Sequence, residues 1–139
     1  MGDVFRYVPG ALQHQGEGNR DQVILRGTST TADFYADGIR DDAQVFRDLY
    51  NLERVEVLKG PGGMAFGRGG AGGVVNRVVK RPVFDHVGVA NVTLGSRNQL
   101  RGTIDLGNKL EAGVAWRLNA MIESSDSFRQ GVEIGRAHV

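Results

Sequence analysis

The spacing that could do chemistry sits in one glycine-dense stretch. Gly67, Gly69 and Gly72 carry the G-x-G-x-x-G pattern with which a strand-to-helix turn presents backbone amides to a pyrophosphate. That chemistry needs a helix directly after the last glycine. The residues that follow, Gly73-Val74-Val75-Asn76-Arg77-Val78-Val79, are poor helix formers and good strand formers, so nucleotide binding is not expected. Gly62 to Gly67 has the spacing of a phosphate loop, but Arg68-Gly69 stands where Lys and Ser/Thr would be needed, and no hydroxyl remains to hold magnesium. His14, His86 and His138 share no metal-ligand spacing. Asp33, Asp37, Asp41 and Asp42 do not follow a calcium loop; turn and helix-cap duty accounts for Asp37 and Asp41. There is no cysteine and no G-x-S-x-G serine. The sequence therefore reads as neither catalytic nor metal-binding.

What positions these residues is turn-rich β structure. The chain has 139 residues, 17 basic against 16 acidic, and a net charge of +1. That balance offers no electrostatic footprint for nucleic acid. Glycine supplies 21 residues and proline 3, which suits tight turns better than a disordered linker. No stretch approaches the roughly 18 apolar residues of a spanning helix, so membrane residence would require a β-barrel. No secretory signal is visible at the start; on that reading the true N-terminus is expected to lie upstream.

Asp3 to Val8 reads as a helix end stopped by Pro9-Gly10, Gln13 to Asp21 as a polar loop, and Gln22 to Arg26 as a short strand. Thr28 to Thr31 reads as a turn, Asp33 to Ala36 as a strand, and Asp37-Gly38 as a turn. Asp41-Asp42 is expected to open a short helix that runs through Phe46 to Leu52, with Phe46, Leu49 and Tyr50 on one face. Arg54 to Leu58 and Gly73 to Val79 read as strands. After Pro82 the period becomes two. Val87 to Leu94, Gln99 to Leu106 and Ala112 to Glu123 alternate, with Gly95 to Asn98 and Gly107 to Lys109 as turns. Three such strands predict an antiparallel meander. The third has the length of a tilted membrane strand, about 9–11 residues, although Trp116 falls mid-strand rather than at an end where girdle aromatics sit. A sheet packed on a soluble core gives the same alternation.

Several ordered motifs resemble one family. Val8-Pro9-Gly10 with Val23-Ile24-Leu25-Arg26-Gly27, then Phe34-Tyr35-Ala36-Asp37-Gly38, look like the opening of the plug of TonB-dependent siderophore receptors. Leu52-Glu53-Arg54-Val55-Glu56-Val57-Leu58-Lys59-Gly60-Pro61 resembles that family's "ERVEVLRGP" signature. Phe66-Gly67 and Gly72-Gly73-Val74-Val75-Asn76 with Lys80-Arg81-Pro82 continue it, and Ser124 to Arg129 is similar to a segment early in the barrel. The resemblance runs from about Asp3 to Val132.

It implies the C-terminal part of an α+β plug, a small mixed β-sheet with short helices, over residues 1–82. An antiparallel β-meander from the start of a transmembrane β-barrel follows over residues 83–132, in an incomplete chain. Residues 133–139, Glu133 to Val139, match what a common sequencing adapter encodes and are expected to be a scar. The implied function is import of ferric siderophores across the bacterial outer membrane. The plug gates the lumen of a barrel of about 22 strands, and the Fe(III)-siderophore is transported cargo with no directly bound cofactor. The implied partners are the TonB-ExbB-ExbD complex, acting through a TonB box outside this chain, and outer-membrane lipid. By family position, Arg20, Arg40, Gln44 and Phe46 would meet the chelate, and Arg26 and Lys59 would meet acidic residues of the barrel wall. A receptor for another cargo, such as cobalamin or a glycan, and a soluble β-rich binding domain are the alternatives.

Overall fold

The structure, a computed structural model, describes residues 2–14, 20–30, 33–41, 43, 45–67, 72–111, 113–126 and 133–138. The chain divides into two compact units, Met1–Lys80 and Arg81–Val139.

The first unit opens with a short helix, α1 (Gly2–Phe5), closed by turns that return the Tyr7 and Val8 amides to Val4 and Phe5. Three strands follow, β1 (Ala11–His14), β2 (Gln22–Leu25) and β3 (Thr28–Thr30), paired antiparallel in that order. Two segments read from sequence as loop and turn, around Gln13 and over Thr28 to Thr30, are thus strands; β2 supplies each with a backbone ladder that polar residues can join without packing.

A four-stranded sheet has the order β5-β4-β7-β6, from β4 (Phe34–Ala36), β5 (Ile39–Arg40), β6 (Leu52–Leu58) and β7 (Val74–Val79). β4 and β7 run parallel, and the other pairs antiparallel. The sheet is mixed, as expected. Phe5, Ala11, Val23, Leu25, Phe34 and Val75 form the core, with Val8, Val55 and Val57 packed on it. Fully burying a Val, Leu or Phe side chain stabilises by about 1.5–3 kcal/mol, which makes Phe5, Val23, Leu25, Phe34 and Val75 the anchor of the loops between them. A 3-10 helix, Gly60–Phe66, links β6 to the glycine stretch. Residues 68–71, which carry the middle of the G-x-G-x-x-G pattern, lie outside the described residues, but the chain beyond Gly73 enters β7 and not a helix.

The helix expected from Asp41 to Leu52 does not form among the described residues. The Arg47 side chain takes the carbonyls of Asp41, Ala43 and Val45, the very acceptors a helix would need. Asp48 Oδ1 accepts from the Leu49 and Tyr50 amides at 2.6 and 3.1 Å. Local side-chain bonds of this kind compete with helix, and Phe46 and Leu49 are left exposed.

The second unit is a four-stranded antiparallel sheet, β11-β10-β9-β8, from β8 (Val87–Gly95), β9 (Gln99–Glu111), β10 (Val114–Asp126) and β11 (Glu133–His138). The turn over Ser96 to Asn98 is present, with Arg97 and Asn98 at positive φ. The turn expected at Gly107 to Lys109 is instead interior to β9. Gly107 lies between Val87 and Arg117 in the ladder, and the reversal comes at Gly113, φ +93°. β10 therefore begins two residues later than expected. Trp116 is its third residue, near a strand end rather than mid-strand.

Register puts Ala90, Val92, Leu94, Leu100, Ile104, Leu106, Trp116, Leu118, Ala120 and Ile122 on one face. Most of its large side chains are exposed, Val92 at 73% and Ile122 at 64%. The opposite face is polar and cross-linked. Arg117 Nε and Nη2 grip both oxygens of Asp105 at 2.8 Å, and Arg101 Nη1 meets Glu123 Oε2 at 3.1 Å. At about 3.3 Å per residue, a thirteen-residue strand tilted by about 45° rises roughly 30 Å, the thickness of a bilayer core. β11 extends the sheet by pairing Glu133 to His138 with Met121 to Asp126; a backbone ladder of this kind is tolerant of sequence.

Candidate functional site: two clusters on the first unit

Of the residues singled out by position, Arg20, Arg40 and Phe46 are described, and Gln44 lies outside the described residues. Their two loops are tied together. The Asp21 amide donates to the Val45 carbonyl at 3.3 Å, and Asp21 Oδ2 accepts from the Arg47 amide at 2.6 Å. Arg20 and Phe46 are each one residue from this pair of bonds. Arg40 ends β5 opposite Tyr35 and stands at the other mouth of the loop. Arg40 and Phe46 are exposed, and Arg20 is half-buried.

Beneath them lies a buried polar knot. Arg47 is only 3% exposed. Its Nε donates to Asp41 Oδ2 at 3.0 Å, its Nη1 to the Val45 carbonyl at 3.2 Å, and its Nη2 to the carbonyls of Asp41 (3.1 Å) and Ala43. Its guanidinium carbon lies 4.3 Å from the centre of the Phe34 ring, a cation–π contact. Arg77 Nη2 also pairs with Asp41 Oδ2. Burial alone would raise the Asp41 carboxyl. The hydrogen bond and charge of Arg47, the Ala43 amide and the charge of Arg77 outweigh it, so the carboxyl sits below the ordinary range. Sequence reasoning missed Arg47. Its carboxylate partners lie 6 and 26 residues away, so no local pattern marks it.

A separate polar chain fixes the Asp37-Gly38 turn. The Gly38 amide donates to Asn76 Oδ1 at 3.0 Å, and Asn76 Nδ2 to Glu56 Oε2 at 2.9 Å. Arg54 Nε meets Glu56 Oε1 at 2.7 Å. The bonds from Asn76 and then Arg54 hold the Glu56 carboxyl below its usual range.

Arg26 and Lys59 are brought to one end of the unit. They follow Leu25 and Leu58, the last residues of β2 and β6, and the chain passes both strand ends at Gly72-Gly73. A Cβ on Gly72 would collide with the Leu25 carbonyl oxygen, and one on Gly73 (φ +138°) would sit 2.5 Å from the Leu58 carbonyl oxygen. Only glycine lets the backbones cross this closely. Arg26 Nη1 lies 3.6 Å from where a Gly60 Cβ would be, so its guanidinium reaches the neighbour of Lys59. Lys59 Nζ donates to the Pro9 carbonyl. Among the described residues, the Arg26 guanidinium has no carboxylate partner.

Among the described residues no group of His, Cys, Asp and Glu could hold a metal ion. The clusters supply cations, an exposed aromatic ring and rigid loops, which suits recognition of an anionic, partly aromatic ligand.

Comparison with known proteins gives one consistent result. Residues 1–74 match the TonB-dependent Receptor Plug Domain family. The chain is 37% identical over 137 residues to the catecholate siderophore receptor Fiu of Escherichia coli K12, covering 94% of this chain and 18% of that protein. Its structure superposes on the closed form of the Fiu crystal structure with a TM-score of 0.87 at 35% identity, over 99% of this chain and 20% of that one. It also superposes on the siderophore receptor PiuA of Acinetobacter baumannii with a TM-score of 0.85 at 29% identity, over 97% and 20% of the two chains. The chain thus spans about a fifth of the length of these relatives.

Proposed function

The chain belongs to the TonB-dependent receptor plug family, and from that premise we propose that it works as the plug and opening wall strands of an outer-membrane importer of ferric siderophores. The observation that carries the wall assignment is the two-faced sheet of β8, β9 and β10. One face is apolar and exposed, and the other is laced by the Arg117–Asp105 and Arg101–Glu123 pairs. A wall strand needs an apolar side for lipid and a polar side for the lumen. Trp116 near a strand end suits an interfacial aromatic.

In this reading residues 1–82 are plug and residues 83–132 wall, and residues 133–139 are not receptor sequence. Lipid is the partner of the apolar face, and the TonB-ExbB-ExbD complex acts through a TonB box elsewhere in the receptor. The cargo class is argued from the relatives: Fiu is named a catecholate siderophore receptor and PiuA a siderophore receptor. Arg20, Arg40, Gln44 and Phe46 face the chelate and hold it by charge-assisted hydrogen bonds and stacking. Arg26 and Lys59 pair with carboxylates of the wall; Lys59 does so as a point charge without the bidentate fork. No bond of the cargo is broken, so the activity is transport.

The complete receptor, expressed in cells lacking other siderophore receptors, is expected to take up radiolabelled iron as a ferric catecholate only when TonB is present. Uptake of cobalamin or a glycan with no iron uptake would refute the cargo assignment.

A further inference from the structure

We propose that Arg47 is the positioning residue of the chelate-facing surface, holding Arg20 and Phe46 in one fixed arrangement. The inference rests on the reading that Arg20 and Phe46 meet the chelate. It comes from the unusual use of one buried cation. A fully buried charge is costly to desolvate unless paired and hydrogen-bonded, and arginine is almost never fully buried without partners. Here the guanidinium gathers three carbonyls of one loop, those of Asp41, Ala43 and Val45, together with the Asp41 carboxylate. The Phe34 ring, itself 0% exposed, closes one face of the guanidinium plane. The loop is thereby pinned to β4, a core strand.

The same residue reaches the second loop through its backbone. The Arg47 amide donates to Asp21 Oδ2, and the Asp21 amide answers with the Val45 carbonyl. Val45 O thus receives both the Arg47 guanidinium and the Asp21 amide. One cation and one carboxylate lock residues 20–21 against residues 45–47. Lysine cannot do this. It has three donors on a point charge and no plane to lie on Phe34. A surface fixed in advance binds without the cost of ordering its loops.

The test uses the full receptor and the iron(III) complex of 2,3-dihydroxybenzoate as probe. Affinity is measured for Arg20→Ala, Phe46→Ala, Arg47→Met, Arg47→Lys and the Arg47→Met/Phe46→Ala double variant, with amide exchange followed in β6 and β7. Expected are about tenfold losses for Arg47→Met, no recovery with Arg47→Lys, and a double variant no weaker than Arg47→Met alone. Exchange in β6 and β7 should stay as in the wild type. Wild-type affinity for Arg47→Met beside weakened Arg20→Ala and Phe46→Ala would overturn the positioning role and leave the ligand surface standing. Unchanged affinity for Arg20→Ala and Phe46→Ala, or no binding by the wild type, would remove the ligand surface and this proposal with it. Fast exchange throughout β6 and β7 in Arg47→Met would show a general folding role and overturn the proposal. If Arg47→Met fails to fold, Asp21→Ala decides. It removes the carboxylate half of the tie between the loops and leaves the Asp21 amide bond to Val45 and the guanidinium bonds in place, and unchanged affinity in it would overturn the proposal.

Discussion

Gly72→Ala is expected to destabilise the plug through sterics alone. No positive φ is involved at Gly72, so backbone strain does not enter. The added Cβ would lie 2.9 Å from both the carbonyl carbon and the Cβ of Leu25, and closer still to its carbonyl oxygen; favourable carbon contacts start near 3.5 Å. Leu25 cannot retreat. It is 0% exposed, paired with Ala11 on one side and Thr28 on the other. One methyl forced into such a site costs about 1–3 kcal/mol. Taking about 2 kcal/mol, amides in β2 and β7 of the full receptor should exchange roughly 30-fold faster, since about 1.4 kcal/mol is a factor of ten. Gly27→Ala is the control. Its Cβ would meet nothing within 4 Å, and only the φ of +81° opposes it. That penalty is about 1–2 kcal/mol and local to the turn, so β7 should be unaffected. If Gly72→Ala exchanges in β7 no faster than Gly27→Ala, the close crossing beside Leu25 is not what makes glycine necessary, and the argument fails.

Other outcomes follow from the same geometry. Leu118→Arg, on the apolar face, should cost about 2–4 kcal/mol of folding stability in lipid vesicles, and Asn91→Arg, on the polar face, much less; equal costs would deny the lipid assignment. The Asp41 carboxyl is held low in the folded chain, so its contribution is present above the ordinary carboxylate pKa of about 3.9 and is lost as pH falls through the lowered folded value. The Arg47 side-chain Nε proton, bonded to Asp41 Oδ2, should therefore lose its exchange protection on the acid side of about pH 4 in the wild type, and Asp41→Asn should flatten that dependence. Charge reversal at Arg26 in the full receptor should reduce plug retention and iron uptake, and unchanged uptake would dismiss the wall contact. The polypeptide by itself, with its apolar β8–β10 face uncovered, should aggregate in detergent-free buffer; a sharp monomeric unfolding transition by light scattering and circular dichroism would contradict this.

Strand positions with strict alternation were legible before any coordinates. β9 and β10 announce themselves because their large apolar residues share one parity, β8 more weakly, and β6 and β7 because valines crowd short runs near glycine. The misplaced elements are those whose conformation is set by distant partners. Thr28 to Thr30 looks like a turn until β2 offers it a ladder. Gly107-Asn108-Lys109 has turn composition, yet Gly113 makes the reversal because register with β8 holds Gly107 in line. The segment after Asp41 has helical spacing, and the inward-turned guanidinium of Arg47 together with the Asp48 carboxylate explains why it is not a helix. At the site, Arg26 and Lys59 were readable as strand-end cations. That they share one end of the unit depends on the Gly72-Gly73 crossing, which pairs residues nearly fifty positions apart.

The parallel pairing of β4 with β7 bears on how the plug would respond to a pull. The two strands share a direction, Phe34 opposite Val75 and Ala36 opposite Arg77. Tension entering on the N-terminal side of β4 and held on the C-terminal side of β7 would drag them lengthwise past each other, loading every rung of that ladder at once. The antiparallel β1–β2 pair is joined end to end and would instead open like a zipper, one bond at a time. Force applied to this fold should strip the first sheet early and stall at the second. Single-molecule extension of the receptor would show this as a low-force step followed by a distinct high-force one.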